Sequence, residues 1–199
     1  MELLKKLTEI RGASGDEGRI KDFLIDYVNK NKGEWTTIPE LYYGDGFQDT
    51  LILVFGKPKT AIFAHTDTIG YTVGYKNNLI KIGGPKLEEG IQLVGSDSKG
   101  EIETELMVIE EIDGHKEIKC VFEREIERGT ILTYKPNFIE TDEFIESPYM
   151  DNRLGVWNAL KVAETLENGA IVFSTYEEHG GNSVGFTGRF LYDKYNLKQ

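Results

Sequence analysis

A single cysteine, Cys120, leaves this 199-residue sequence without an intramolecular disulfide and without a cysteine-rich zinc knuckle. It lies in the alternating run EIKCVF, where a free cysteine packs as a small hydrophobe, so a buried strand position is expected. The sparse thiol content points to the cytoplasm. Long apolar runs are missing too, and none approaches the roughly 18–20 residues a membrane span needs. The opening MELLKKLTEIRG has charges inside its apolar pattern and no small-residue cleavage site, so an amphipathic helix is expected rather than a secretion signal. Basic residues are in deficit. The formal net charge is −11, with Lys and Arg scattered and no basic stripe, which argues against nucleic acid as a partner. Internal repeats and low-complexity segments are also absent.

What is present has a changing texture. Leu3, Leu4, Leu7 and Ile10 share one face of a first helix over Glu2 to Ile10. Ser14 with Glu17 has the form of a capping box, placing the start of a second helix near Gly15. That helix has a stripe of Ile20, Phe23, Leu24, Tyr27 and Val28 and ends at Asn31 to Gly33. The apolar runs Thr50–Phe55 and Thr60–Ala64, split by Gly56-Lys57-Pro58, suit strands buried on both faces. From about Ile69 to Glu146 the pattern turns to short alternating segments broken at Asn77-Asn78, Gly83-Gly84-Pro85, Ser98-Lys99-Gly100 and Asp113-Gly114. The clearest hairpin is MVIEEIDGHKEIKCVF, turning at Asp113-Gly114. This block predicts a small β-barrel or sandwich inserted into an α/β domain. Asp151 to Asn168 then predicts a helix stopped by Asn168-Gly169, Ala170–Tyr176 a buried strand, and a last helix starts between Asn182 and Phe186.

Three short motifs fall at the ends of these elements. His65-Thr66-Asp67 follows a strand, and residues two apart on extended chain point the same way. Imidazole is a common zinc ligand and a nearby carboxylate fixes its orientation. Alone, though, the motif is better explained by a structural histidine. Asp151-Asn152-Arg153-Leu154-Gly155 sits where the β block returns to helix, and on its own is explained as a helix N-cap. Glu177-Glu178 follows the strand AIVFSTY, and a solvated loop tip is the simple account of it. A metal changes that balance, since one Glu can ligate while the other serves as a general base.

In order along the chain, these pieces resemble the glutamyl or deblocking aminopeptidase family, which includes the self-compartmentalising tetrahedral aminopeptidases. The resemblance is carried by SGDEGRI, AHTDTIGYTV, GTILTYKP leading into SPYMDNRLGVWNAL, and STYEEHGGNSVG. It implies a mixed sheet flanked by helices, like the zinc exopeptidases, over 1–68 and 147–199, with an all-β barrel inserted at 69–146. It further implies two divalent ions, zinc or else cobalt or manganese, held by His65, Asp151 as the bridge and Glu178. Asp67 would orient His65, and Glu177 would act as the base. A cis peptide is expected at Asp151–Asn152. Peptides are the implied substrates and a homo-oligomer the implied assembly, away from nucleic acid and membrane.

The sequence also departs from the family. Asn152 stands where relatives carry a second acid, and His179 where they have a small apolar residue, as a group behind the ligands or a solvated loop histidine. Relatives continue into a further α/β stretch with Asp and His ligands. Here no later Asp or His fills those places before Gln199, and Asp193 belongs to a helix pattern, so a truncated chain is expected. Two other readings stand beside the peptidase. One is a non-catalytic relative serving as a binding or assembly module. The other is a related metal-dependent amidohydrolase, such as a carboxypeptidase or deacylase. The intact Glu177-Glu178 pair favours catalysis, and hairpin texture without helices argues against the helix-bearing lid of the amidohydrolases.

Overall fold

The structure is a computed structural model that describes residues 1–110, 116–181 and 183–197. Helices α1 (Glu2–Glu9) and α2 (Gly18–Asn31) open the chain. Strands β1 (Glu40–Tyr42), β2 (Leu51–Phe55) and β3 (Ala61–His65) follow. Six more strands come next: β4 (Gly70–Val73), β5 (Leu79–Ile82), β6 (Gln92–Asp97), β7 (Gly100–Glu110), β8 (Lys116–Val121) and β9 (Ile131–Tyr134). A short hairpin of β10 (Ile139–Glu140) and β11 (Ile145–Glu146) leads to α3 (Met150–Ala163), β12 (Gly169–Ser174) and α4 (Val184–Tyr195).

The first sheet has the order β1-β2-β12-β3, in which β12 is antiparallel to β2 and parallel to β3. Parallel neighbours need a long crossover, usually helical. Here the crossover contains the whole β block and α3. Leu7, Ile20, Leu24, Val28, Val156, Leu160 and Ala163 from α1, α2 and α3 cover one face of this sheet, over Leu51, Leu53, Phe55, Ile171 and Phe173. Leu191 of α4 covers the other, over Ile52, Val54, Ala170 and Val172. Each fully buried Leu, Ile or Phe contributes about 1.5–3 kcal/mol. The mixed α/β layering expected from sequence is therefore present.

The second sheet has the order β5-β4-β9-β6-β7-β8 with antiparallel neighbours. A bridge between Asn78 and Lys119 joins its two margins, so the sheet curls into a nearly closed barrel. Tyr71, Val73, Leu93, Ile102, Leu106 and Leu132 fill its interior. Cys120 is buried there, its thiol pushed up to about 11 by burial, in keeping with a packing role. The β7–β8 arms pair as expected down to Glu110 and Lys116, while the expected Asp113-Gly114 turn lies outside the described residues. No helix among the described residues is long and apolar enough to cross a membrane.

Three local expectations fail for physical reasons. β3 is an edge strand, so Ile62 and Phe63 remain 40% and 38% exposed where burial on both faces was expected. No capping box forms: α2 starts at Gly18, and the Glu17 side chain reaches beyond its own helix end. Helix α3 stops at Ala163, not at Asn168, whose side-chain oxygen instead accepts the Lys57 N–H in the β2–β3 turn at 2.8 Å.

Candidate functional site

Parallel pairing of β3 with β12 puts their carboxyl ends side by side, with Ser174 opposite His65. The register continues past the strands: the Thr66 N–H and hydroxyl both donate to the Ser174 carbonyl, at 2.8 and 3.0 Å. His65-Thr66-Asp67 and the Tyr176–Glu178 loop are thus neighbours because of strand geometry, although more than a hundred residues separate them. Crevices at such strand ends are where open α/β sheets bind ligands.

Asp151 arrives at the same end from the start of α3. Its backbone is extended (φ −85°, ψ 111°) and the peptide to Asn152 is cis, as expected. Two anchors hold this start. Tyr149 is buried, accepts the Tyr134 N–H on its hydroxyl, and stacks on the Tyr134 ring at 5.7 Å. Arg153 is wholly buried and donates to the Leu7 carbonyl at 2.8 Å, tying α3 to α1. Burial lowers the Arg153 pKa to about 10, so it remains a cation behind Asp67. The Asp151 side chain makes no cap and is 89% exposed.

His65 lies between the two acids. Nδ1 is 3.1 Å from the Asp67 carbonyl and 3.6 Å from its carboxylate, and Nε2 is 3.1 Å from Asp151 Oδ1. Burial opposes the imidazolium, but Asp67, Asp151 and Glu177 outweigh it and raise the pKa to about 9. Asp67 is fully buried, and its Oδ2 accepts the Glu178 N–H at 2.9 Å. Burial works against that carboxylate too, yet His65 and the Glu178 and Glu177 amides hold its pKa below the usual value.

Glu177 is exposed, and Glu178 is half-buried. Burial raises the Glu178 pKa, and Glu177, Asp67 and Asp151 add to the rise. The Glu178 carboxylate is turned onto the barrel: a Cβ at Gly83 (φ +70°) would lie 2.6 Å from Oε2. Sequence reasoning took Gly83-Gly84-Pro85 for a turn only, and nothing local could reveal its approach to Glu178. Tyr134 and Tyr149 were likewise missed as anchors. His179 is exposed beside Gly15.

Two ligands about 2.0–2.1 Å from one tetrahedral ion stand roughly 3.3 Å apart. The 3.1 Å between His65 Nε2 and Asp151 Oδ1 is close to that spacing, so this pair fits a shared cation. Among the described residues, however, no three His, Cys, Asp or Glu side chains are gathered to hold a metal ion. His65 and Asp151 meet, whereas Glu178 shares their electrostatic surroundings without joining the pair.

The sequence pattern of the M42 glutamyl aminopeptidase family matches residues 91–188, which bears out the resemblance read from the motifs. No curated protein matches the chain. Among solved structures, the Pyrococcus horikoshii TET1 peptidase is 22% identical with a TM-score of 0.67, covering 99% of this chain and 66% of its own. A TET aminopeptidase from the marine sediment archaeon Thaumarchaeota archaeon SCGC AB-539-E09 is 17% identical with a TM-score of 0.73, over 90% of this chain and 60% of its own. A Thermotoga maritima protein named as an endoglucanase is 18% identical with a TM-score of 0.62, over 87% and 58%. The likeness is one of fold, and this chain spans 58% to 66% of the length of these three structures.

Proposed function

We propose that this chain, matched by the glutamyl aminopeptidase family pattern, carries the ion-binding and proton-transfer part of a metal-dependent aminopeptidase. The reading rests above all on the 3.1 Å meeting of His65 Nε2 and Asp151 Oδ1 at the sheet end where Glu177 and Glu178 emerge. His65 would hold one ion through Nε2, with Asp67 taking its Nδ1–H and so fixing the tautomer. Asp151, whose exposed carboxylate has two oxygens to offer, would bridge to a second ion held by Glu178. A mixed imidazole and carboxylate set suits zinc, and cobalt and manganese are also compatible. When bound, such ions polarise a scissile carbonyl and lower the pKa of water.

Glu177 is the proton carrier in this reading. It stands exposed beside the cluster, takes a proton from the attacking water, and returns it to the departing amine. The water oxygen bonds the carbonyl carbon as the carbon–nitrogen bond breaks, releasing the N-terminal residue of a peptide. The Pyrococcus horikoshii TET1 peptidase assembles into a tetrahedron or a large octahedral shell, and a homo-oligomer is proposed here by analogy. The single buried thiol agrees with a reducing, cytoplasmic setting.

The test is hydrolysis of aminoacyl chromogenic amides with added zinc or cobalt, comparing the chain with its Glu177→Gln variant. Loss of a general base should cost about 100-fold or more, with cobalt binding, followed by visible absorption, retained. Equal rates for the two proteins would remove Glu177 from its role. Equal cobalt spectra for the chain and His65→Ala would remove the ion site.

A further inference from the structure

Glu17 is fully buried, and its two carboxylate oxygens serve two different loops. Oε2 accepts the Gly15 N–H at 3.0 Å, and Oε1 accepts the Tyr176 N–H at 3.2 Å. Gly15 belongs to the loop between α1 and α2. That loop is fastened to the end of β3, with the Ser14 N–H donating to the Thr68 carbonyl and the Thr68 N–H to Gly12, both at 3.0 Å. Tyr176 belongs to the loop after β12 and immediately precedes Glu177.

Tyr176 has φ +64°, a left-handed conformation that a residue with a bulky side chain adopts only when its surroundings impose it. That turn re-aims the chain from the strand direction and presents Glu177 and Glu178. Two buried carboxylates hold it at two nearby amides. Asp67 receives the Glu178 N–H, and Glu17 receives the Tyr176 N–H. Without Glu17, the Tyr176 N–H would lose its acceptor at the residue where the backbone is least self-supporting. We propose that Glu17 is a positioning residue that holds the Tyr176 turn and thereby fixes the place of Glu177 relative to His65 and Asp151. The inference rests on the peptidase reading for its catalytic consequence, but not for the hydrogen bonds themselves.

Glu17→Gln keeps the volume and leaves only one side-chain oxygen to accept, so one of the two N–H groups loses its partner. The full chain and this variant are compared at pH 8 by amide hydrogen exchange and by steady-state hydrolysis with cobalt present. In the unmodified chain the Tyr176 N–H should exchange at least about 100-fold more slowly than a free amide, although it lies in a loop. In the variant, the protection of Tyr176 or Gly15 should fall about 10-fold or more. Hydrolysis should lose kcat, expressed per folded molecule from the circular dichroism of the same sample, by a similar factor with KM little changed, whereas loss of stability alone would leave kcat per folded molecule unaltered.

An unprotected Tyr176 N–H in the unmodified chain overturns the proposal, and so does a variant with unaltered exchange and kcat. If the variant does not fold, the exchange rate of Tyr176 in the unmodified chain still decides. If the unmodified chain hydrolyses nothing, cobalt binding judges the ion site of the peptidase reading, while the exchange measurements still judge the grip of Glu17 on the turn.

Discussion

Asp67 and Glu17 are both buried carboxylates near the candidate site, yet their environments push them in opposite directions. For Asp67, the imidazole and two loop amides overcome the cost of burial and lower its pKa. For Glu17, burial wins over the amides of Gly15, Glu17 itself and Tyr176, and the Asp67 charge adds to it, raising the carboxyl to about 7. The consequence for stability has a definite sign. The unfolded chain ionises Glu17 near its ordinary 4.5, the folded chain only near 7, so the unfolded state binds fewer protons between those values. The contribution of Glu17 is therefore greatest below pH 4.5, declines from 4.5 to 7, and is flat above. By the roughly 1.4 kcal/mol per pKa unit, the decline amounts to about 3 kcal/mol. Urea unfolding at pH 5 and pH 8 should show this loss in the unmodified chain relative to Glu17→Gln, and an identical pH dependence would refute it. Sequence could not distinguish this role, because Ser14 and Glu17 have the spacing of a capping box and the competing donor, the Tyr176 N–H, lies 159 residues away. The strand end at His65-Thr66-Asp67 and the helix start at Asp151 were legible as local patterns, but each motif alone had a structural explanation, and the roles of these residues came only from their order along the chain and the family resemblance.

At the scale of elements, α3 shows why glycine cannot be judged by helix propensity alone. Gly155 lies in the helix, where alanine is ordinarily about 1 kcal/mol more favourable. A Cβ there would stand 2.0 Å from Asn152 Oδ1 and 2.7 Å from its Cγ, so the whole Asn152 side chain would have to leave its place. Overpacking of this kind costs about 1–3 kcal/mol, set against a propensity gain of about 1 kcal/mol. Gly155→Ala is therefore expected to destabilise the chain by up to about 2 kcal/mol. Removing the obstruction in Asn152→Ala/Gly155→Ala should let the propensity gain appear. Denaturant melts of both variants check this, and a single variant as stable as the parent would show that Asn152 yields freely. The strands teach a related lesson. β2 and β3 are both continuous apolar runs, and only sheet order distinguishes the wholly buried β2 from the edge strand β3. Order depends on which strands pair across the insertion, which no short window contains.

At the scale of the molecule, the hydrophobic interior of the barrel stands apart from the two on the faces of the first sheet. The barrel interior draws only on residues from Tyr71 to Tyr134, and the sheet-and-helix interiors draw on none of them. We propose on this ground that 69–146 is a domain inserted between 1–68 and 147–199, as the change of texture along the sequence suggested. A unit of this size is marginal when it relies on apolar burial alone, but its closure has polar support. Arg124 clamps Asp97 with two hydrogen bonds of 2.6 and 2.9 Å, and Asp97 also accepts the Lys99 N–H at 2.9 Å. Arg124 holds the Asp97 pKa well below the ordinary value, so the clamp remains ionised across neutral pH. The α/β part contributes Ala13 beside Gly70, and Tyr149 on Tyr134, at the junction. These contacts lie at the rim of the barrel, not in its interior. A fragment comprising 69–146 should therefore give a β-type circular dichroism spectrum and a single cooperative melt, with a stability of no more than about 3–5 kcal/mol. Asp97→Asn should weaken that melt without changing the spectrum. A fragment that is disordered under the same conditions would mean that the barrel depends on its rim, and that the division belongs to the pattern of the sequence and not to its energetics.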